Sequence, residues 1–121
     1  MVLARSAPVL IVDDNAETRQ VLGQVLAIKG YPSVAVAGGQ QALDYLNGGG
    51  AASLIILDLR MPGMDGHEFR AHQMADPILA KIPVIVFTAT AETNLNDPAP
   101  LLRKGTDPGI LLALVGAART N

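Results

Sequence analysis

Short apolar runs alternate along the chain with segments that have the spacing or boundary residues of helices. The runs predict five strands, at Val9–Val12, Ser33–Ala37, Leu54–Leu57, Val84–Phe87 and Leu101–Arg103. The other segments predict helices at Ala16–Lys29, Gln40–Asn47, His67–Ala75 and Gly109–Arg119. Because strands and helices alternate, the pattern predicts a doubly wound α/β domain, a five-stranded parallel sheet with helices on both faces.

Individual residues refine the positions of these elements. Leu54–Leu57 is wholly composed of large apolar residues, which is typical of a central strand buried on both faces. Ser33–Ala37 is a weaker strand and is expected at an edge. Asn15 is expected to cap the first helix, and Asp107 followed by proline to begin the last one.

Length and composition narrow the class of protein. The 121 residues, half of them hydrophobic, fit one domain with its own core, residues 1–121. There are no cysteines, which excludes disulfides, a thiol nucleophile and cysteine-based metal sites. The net charge of -2 argues against a nucleic-acid surface. No apolar run approaches the ~18 residues of a membrane span and no signal peptide is evident, so we expect a cytoplasmic protein without membrane partners.

Polar residues end four of the predicted strands. Asp13 and Asp14, Asp58, Thr88 and Lys104 would all lie at the carboxyl edge of the parallel sheet. Three clustered carboxylates raise one another's pKa values unless a cation neutralises them, and oxygen ligands suit Mg²⁺ or Mn²⁺. For Asp58 alone, capping of the next helix is the simpler interpretation. The convergence of all these residues favours a site.

With these residues in place, the chain resembles the receiver domain of bacterial two-component response regulators. The resemblance runs from Val9 to about Val115. It rests on the acidic pair, the lysine, the strand Pro83–Ala89 and the loop Asp58-x-x-Met61-Pro62-x-Met64-Asp65-Gly66. It implies a flavodoxin-like sheet with strand order 2-1-3-4-5.

The resemblance also implies roles for individual residues. Asp58 would be the phosphoacceptor. The divalent cation, Mg²⁺ or Mn²⁺, would be held directly by Asp14 and Asp58, largely through water by Asp13, and by the backbone carbonyl of Arg60. No other cofactor is implied.

Two further residues complete the implied catalytic set with Asp58. Thr88 would hydrogen-bond the phosphoryl group, and Lys104 would pair first with the acceptor carboxylate and then with the phosphate. The implied donor is a histidine kinase or a histidine phosphotransfer protein, and the implied output is a downstream protein or a fused domain. Such a domain catalyses its own phosphorylation and slow dephosphorylation and is not a turnover enzyme on an external substrate.

The chain departs from the family pattern at three places. Gly105 follows the lysine where the family usually has proline, commonly after a cis bond. A cis bond before a non-proline residue costs ~2.5–4 kcal/mol, so we expect a trans bond or a loose turn. Leu101 replaces the aromatic switch residue. The segment Ala89–Ala99 is short, so the family's fourth helix is expected to be short or absent. That would uncover the fifth strand and last helix for a partner or a homodimer.

Two alternative functions remain open on the sequence. A phosphatase of the haloacid dehalogenase type also uses a strand-end aspartate and Mg²⁺, but its second aspartate would fall at Arg60. A degenerate receiver would bind partners without being phosphorylated. His67 and His72 are five residues apart, which does not place them on one helical face, and they are interpreted as ordinary surface histidines.

Overall fold

The sheet has the strand order that the resemblance implies. The structure is a computed structural model that describes residues 7–89 and 97–120. Its strands are β1 (Val9–Val12), β2 (Ser33–Val36), β3 (Leu54–Leu57), β4 (Val84–Thr88) and β5 (Leu101–Arg103). All neighbouring strands are parallel, in the order β2-β1-β3-β4-β5. The predictions of a parallel α/β fold, of a central Leu54–Leu57 strand and of an edge position for the second strand are therefore confirmed.

Four helices of the described residues connect and cover the strands. They are α1 (Ala16–Ile28), α2 (Gly39–Asn47), α3 (Gly66–Ala75) and α4 (Pro108–Thr120). A short 3₁₀-helix, Leu79–Lys81, was not predicted. It begins where the Asp76 carboxylate accepts hydrogen bonds from the N–H groups of Ile78 and Leu79, at 2.9 and 3.3 Å. No helix among residues 7–89 and 97–120 is long and apolar enough to cross a membrane.

Both predicted helix starts are confirmed. The Asn15 side chain accepts a hydrogen bond from the N–H of Thr18 at 2.9 Å, and this satisfies one of the unpaired donors at the start of α1. At the start of α4, the Asp107 carboxylate accepts from the N–H of Gly109 at 2.7 Å. Proline at the first helical position needs no such partner, since it has no N–H.

The core lies in two layers, one on each face of the sheet. β1 and β3 are buried along their whole length, while β2 alternates between exposed and half-buried residues. The apolar residues of the last helix predict one broad inward face, formed by Ile110, Leu111, Leu114, Val115 and Ala118. Leu111 and Val115 are buried, but Ile110 is 50% exposed, so its predicted inward position is wrong. Each helical residue advances by about 100°, so a face centred on Leu111 and Val115 carries Ile110 to its edge.

An ion pair anchors the end of the connection between β4 and β5. Arg70 on α3 donates two hydrogen bonds to the Asp97 carboxylate, from Nε to Oδ2 at 2.8 Å and from Nη2 to Oδ1 at 2.6 Å. Its Nη1 donates to Gln73, which is fully buried and in turn donates to the carbonyls of Leu79 and Ile82. Hydrogen bonds from Arg70 hold the pKa of Asp97 below its ordinary value.

The predicted shortening of the fourth helix concerns mainly residues 90–96, which lie outside the described residues. The described end of this connection, residues 97–100, contains no helix and leads directly into β5. The expectation for the segment Ala89–Ala99 as a whole therefore stays a prediction.

We expect Asp97→Asn to lower the free energy of unfolding by about 1.5–3 kcal/mol at neutral pH, the usual contribution of hydrogen bonds to charged groups. Because the folded-state pKa of Asp97 is lowered, its contribution is fully present above the ordinary carboxyl pKa. It is lost as the pH falls through the folded-state value. Urea unfolding of both proteins at neutral and acid pH measures this difference.

The matched control is Asp44→Asn, because Asp44 is an exposed carboxylate on α2. It should change the free energy of unfolding little at any pH. An Asp97→Asn protein as stable as the wild type at neutral pH would show that the Arg70 pair contributes nothing.

Candidate functional site

Asp58 lies at the carboxyl end of the central strand and does not cap the next helix. It is 5% exposed, and its N–H donates to the carbonyl of Val12 at 2.9 Å, which continues the pairing of β3 with β1. Asp65 caps α3 instead, because its carboxylate accepts from the N–H of Glu68 at 2.9 Å. The helix-cap interpretation of Asp58 is therefore wrong, and its carboxylate is available to the site.

Three carboxylates converge at this edge of the sheet. Asp13 is 1% exposed, Asp58 is 5% exposed and Asp14 is on the surface. One oxygen from each can be chosen so that all three lie within 4.8 Å of one another. The predicted convergence of the acidic pair with Asp58 is present in the structure.

Lys104 is the cation that faces this cluster. Its Nζ lies 2.7 Å from Oδ2 of Asp13 and 3.3 Å from Oδ2 of Asp58. The contact with Asp58 has the alignment of a hydrogen bond. Oδ2 of Asp13 is buried and has no well-aligned hydrogen-bond donor in the described part of the chain, so its contact with the ammonium is an ion pair. Lys104 therefore offsets the charge of Asp13 without satisfying that oxygen's directional hydrogen bonding.

The electrostatics of the cluster oppose ionisation of Asp58. Burial raises the pKa of Asp58, and the neighbouring Asp13 charge raises it further. Lys104 and a backbone hydrogen bond from Arg60 lower it, but the net shift is upward. For Lys104, burial lowers the pKa, but pairing with the two carboxylates outweighs burial and raises it. The ammonium therefore favours the anionic form of Asp58 and partly offsets the effects of burial and of Asp13.

The remaining predicted residues also border the site. Thr88 ends β4, is fully buried, and its carbonyl accepts a hydrogen bond from the N–H of Lys104 at 2.9 Å. Arg60 is exposed, and its backbone N–H contacts the Asp58 carboxylate. Its carbonyl as a metal ligand stays a prediction. Of the two histidines, which were interpreted as ordinary surface residues, His72 is exposed. His67 is half-buried, and its charge helps to lower the pKa of Asp97.

Three supporting residues were missed in the sequence. The N–H of Asn15 donates to Oδ1 of Asp13 at 2.9 Å, and Nη1 of Arg19 donates to the Asp13 carbonyl, also at 2.9 Å. A Cβ at Gly66 would meet the carbonyl oxygen of Asp58 and, at 2.8 Å, the Cα of Leu59. Asn15 was predicted only as a helix cap and Gly66 only as part of the loop motif, whereas Arg19 gave no sequence signal.

The donor set fits a hard divalent cation. All three acidic groups supply oxygen, which such cations prefer, and Oδ2 of Asp13 is a buried acceptor whose hydrogen-bonding capacity is unmet among the described residues. Like charges this close are stabilised by a cation. The cluster can therefore bind a metal ion.

Comparison with known proteins agrees with this geometry. The sequence profile of the family described as "Response regulator receiver domain" matches residues 9–107. The chain belongs to this family. It is thus a receiver domain of two-component signalling, a class that interacts with histidine kinases or phosphotransfer proteins. The haloacid dehalogenase alternative has no support from this match.

Individual relatives place the receiver in proteins of different length. The chain is 37% identical to sporulation initiation phosphotransferase F of Bacillus subtilis over 72% of this chain and 68% of that protein. It is 33% identical to sensor protein GacS of Pseudomonas syringae pv. syringae over 86% of this chain but 12% of that protein. The solved signal receiver domain of a signal transduction histidine kinase from Syntrophus aciditrophicus has a TM-score of 0.87 and 28% identity, covering 94% of this chain and 90% of that one.

We expect Asp58→Asn to make the receiver more stable at neutral pH. The folded-state pKa of Asp58 is raised, so the folded protein disfavours the ionised carboxylate more than the unfolded chain does. The neutral amide removes that cost. The gain should shrink as the pH falls toward the ordinary carboxyl pKa, where the wild type is also protonated. Thermal unfolding midpoints across this pH range measure it.

Asp44→Asn again serves as the control, since it makes the same chemical change on an exposed helix. If Asp58→Asn instead lowered the midpoint at neutral pH, the ion pair with Lys104 would outweigh burial and repulsion.

Proposed function

We propose that this receiver accepts a phosphoryl group on Asp58 from a phosphohistidine of a histidine kinase or phosphotransfer protein, in a divalent-cation-dependent reaction. The proposal rests above all on one observation. The buried carboxylate of Asp58 ends the central strand within reach of two further carboxylates and 3.3 Å from the Lys104 ammonium. Phosphoryl transfer needs chiefly positioning and charge neutralisation, and this is what such an arrangement offers.

In the proposed step, a carboxylate oxygen of Asp58 attacks the phosphorus of the phosphohistidine. The phosphorus–nitrogen bond breaks, its electron pair leaves with the imidazole nitrogen, and that nitrogen takes up a proton from solvent. The product is an acyl phosphate on Asp58. The chain thus catalyses its own modification and the slow hydrolysis of the product, and it does not turn over an external substrate.

The residues around Asp58 have separate roles in this step. Lys104 and the N–H of Arg60 oppose the rise in the pKa of Asp58 and so favour the ionised form of the nucleophile. Lys104 also reduces the repulsion between the carboxylate and the incoming anion. The Thr88 hydroxyl donates a hydrogen bond to the transferred group.

The metal would be Mg²⁺ or Mn²⁺. Asp14 and Asp58 would hold it directly, Asp13 largely through water, and the Arg60 carbonyl would complete the protein ligands. When bound, the ion would neutralise charge on the phosphoryl oxygens and on the acceptor carboxylate.

Phosphorylation would then switch the binding of a downstream protein or a fused output domain. A phosphoryl group adds charge and acceptor oxygens next to Thr88, and so acts on the connection that follows β4. β5 is one of the two edge strands and Ile110 on α4 is half exposed, so this region is also the proposed surface for a homodimer. A cytoplasmic location, without nucleic-acid or membrane partners, is part of the proposal.

With Mg²⁺ and acetyl phosphate, we expect the wild-type protein to gain the mass of one phosphoryl group and Asp58→Asn to gain none. Asp65→Asn is the matched control, because it changes a carboxylate of the same loop that caps α3 and does not belong to the acidic cluster. Intact-mass spectrometry measures the gain. A persistent gain in Asp58→Asn would place the acceptor elsewhere. No gain in the wild type would favour a degenerate receiver.

We expect Asp14→Ala to weaken Mg²⁺ binding by roughly tenfold or more. Loss of a residue that only hydrogen-bonds a metal ligand already lowers metal affinity about tenfold or more, and loss of a direct ligand should cost at least as much. Asp14 is exposed and belongs to a cluster of like charges, so the fold should keep or gain stability. Calorimetric titration with Mg²⁺ measures the affinity, with Asp44→Ala as the surface control. Unchanged affinity in Asp14→Ala would mean that the ion binds without this carboxylate.

A further inference from the structure

The residue after Lys104 has a backbone conformation that is rare for any residue but glycine. Gly105 has a φ of +95°. It is the third residue of a turn in which the N–H of Thr106 donates to the carbonyl of Arg103 at 3.1 Å, and the Thr106 hydroxyl donates to the same carbonyl at 2.6 Å. No non-glycine residue among the described ones has a positive φ, so this is a type II turn with Lys104 in second place.

This turn fixes the backbone of Lys104 from its carboxyl side. On its amino side, the N–H of Lys104 donates to the carbonyl of Thr88 at 2.9 Å. Held at both ends, the residue places its ammonium 2.7 Å from Asp13 and 3.3 Å from Asp58. The side chain is 21% exposed, although it ends in a charge at the edge of the fold. The fixed backbone limits the positions that this long, flexible side chain can reach.

We propose that Gly105 is a positioning residue, whose left-handed conformation closes the turn that directs the Lys104 ammonium between Asp13 and Asp58. A β-carbon at position 105 disfavours the positive φ and favours a type I turn, in which Lys104 would need a different ψ. Proline is still less compatible, because its φ is fixed near -65°. The space around Gly105 is open, since a Cβ there would meet no atom within 4 Å. Backbone conformation, rather than packing, therefore favours glycine at this position.

The chain supplies a matched control for the cost of a positive φ. Gly49, in the connection between α2 and β3, has a φ of +99° and equally open surroundings. Gly49→Val should therefore cost the fold about as much as Gly105→Val, yet leave the β5–α4 turn untouched. Asparagine tolerates the left-handed region, so Gly105→Asn should preserve the turn.

Lysine acylation gives a readout that needs neither metal nor phosphorylation. The chain has three lysines, and Lys29 and Lys81 are exposed internal references. In the wild type, Lys104 should react several-fold more slowly with limiting acetic anhydride than either reference, as measured by peptide mass spectrometry. Gly105→Val should bring Lys104 close to the rate of the references. Gly49→Val and Gly105→Asn should leave it protected. Gly105→Ala is the milder variant if Gly105→Val does not fold.

The consequence for the reaction rests on the proposed function. Gly105→Val should slow phosphorylation by acetyl phosphate by about 10–100-fold, as misplacement of a catalytic group by an ångström can. Adding it to Lys104→Met should slow the reaction no further. Wild-type protein that is never phosphorylated would refute the proposed function and leave the acylation result to decide on Gly105. The positioning role would be overturned if a folded Gly105→Val or Gly105→Ala protein still protected Lys104 from acylation. It would also be overturned if Gly49→Val exposed Lys104 to acylation as much as Gly105→Val does.

Discussion

The acidic site depends on one constraint, the burial of two carboxylates beside each other in contact with the Lys104 ammonium. Asp13 and Asp58 are 1% and 5% exposed, and each follows a strand that is buried along its whole length. Ionised carboxylates in such surroundings are costly unless they are paired. Lys104 is the cation in contact with both. The residues that fix Lys104 therefore matter to the stability of the resting protein as well as to its chemistry.

Sheet topology explains why these groups meet at all. Val12 pairs with Leu57 in the register of β1 and β3, so the residues that follow them, Asp13 and Asp58, emerge side by side. In a parallel sheet, the chain crosses one face of the sheet between each strand and the next. All strands therefore run in the same direction, and their carboxyl ends lie at one edge. Strand register and direction thus bring Asp13 and Asp58 together, and the loops only orient their side chains.

The same reasoning explains which features could be predicted from the sequence. Turn residues bound each strand and polar residues end several of them, and both are local patterns. The strands of the sheet and the position of Asp58 at a strand end could therefore be predicted. The pairing of Arg70 with Asp97 was not, because two ordinary surface-type charges meet only after α3 and the connection have packed. Gly66 was found only as part of the loop motif, whereas the structure needs it for the close approach of α3 to the acceptor backbone. The inward position predicted for Ile110 was wrong because apolar character alone does not fix the rotation of a helix about its axis.

These contacts form a path around the site that does not pass through Thr88. Gly66 touches the backbone of Asp58, and Arg70, one helical turn further along α3, holds Asp97. Residues four apart lie on the same side of a helix, so one face of α3 touches both the acceptor loop and the end of the β4–β5 connection. That connection continues into β5, which ends at Arg103, directly before Lys104. In this chain, where Leu101 stands at the aromatic position, α3 therefore contacts both the acceptor backbone and the segment that leads into β5 and Lys104.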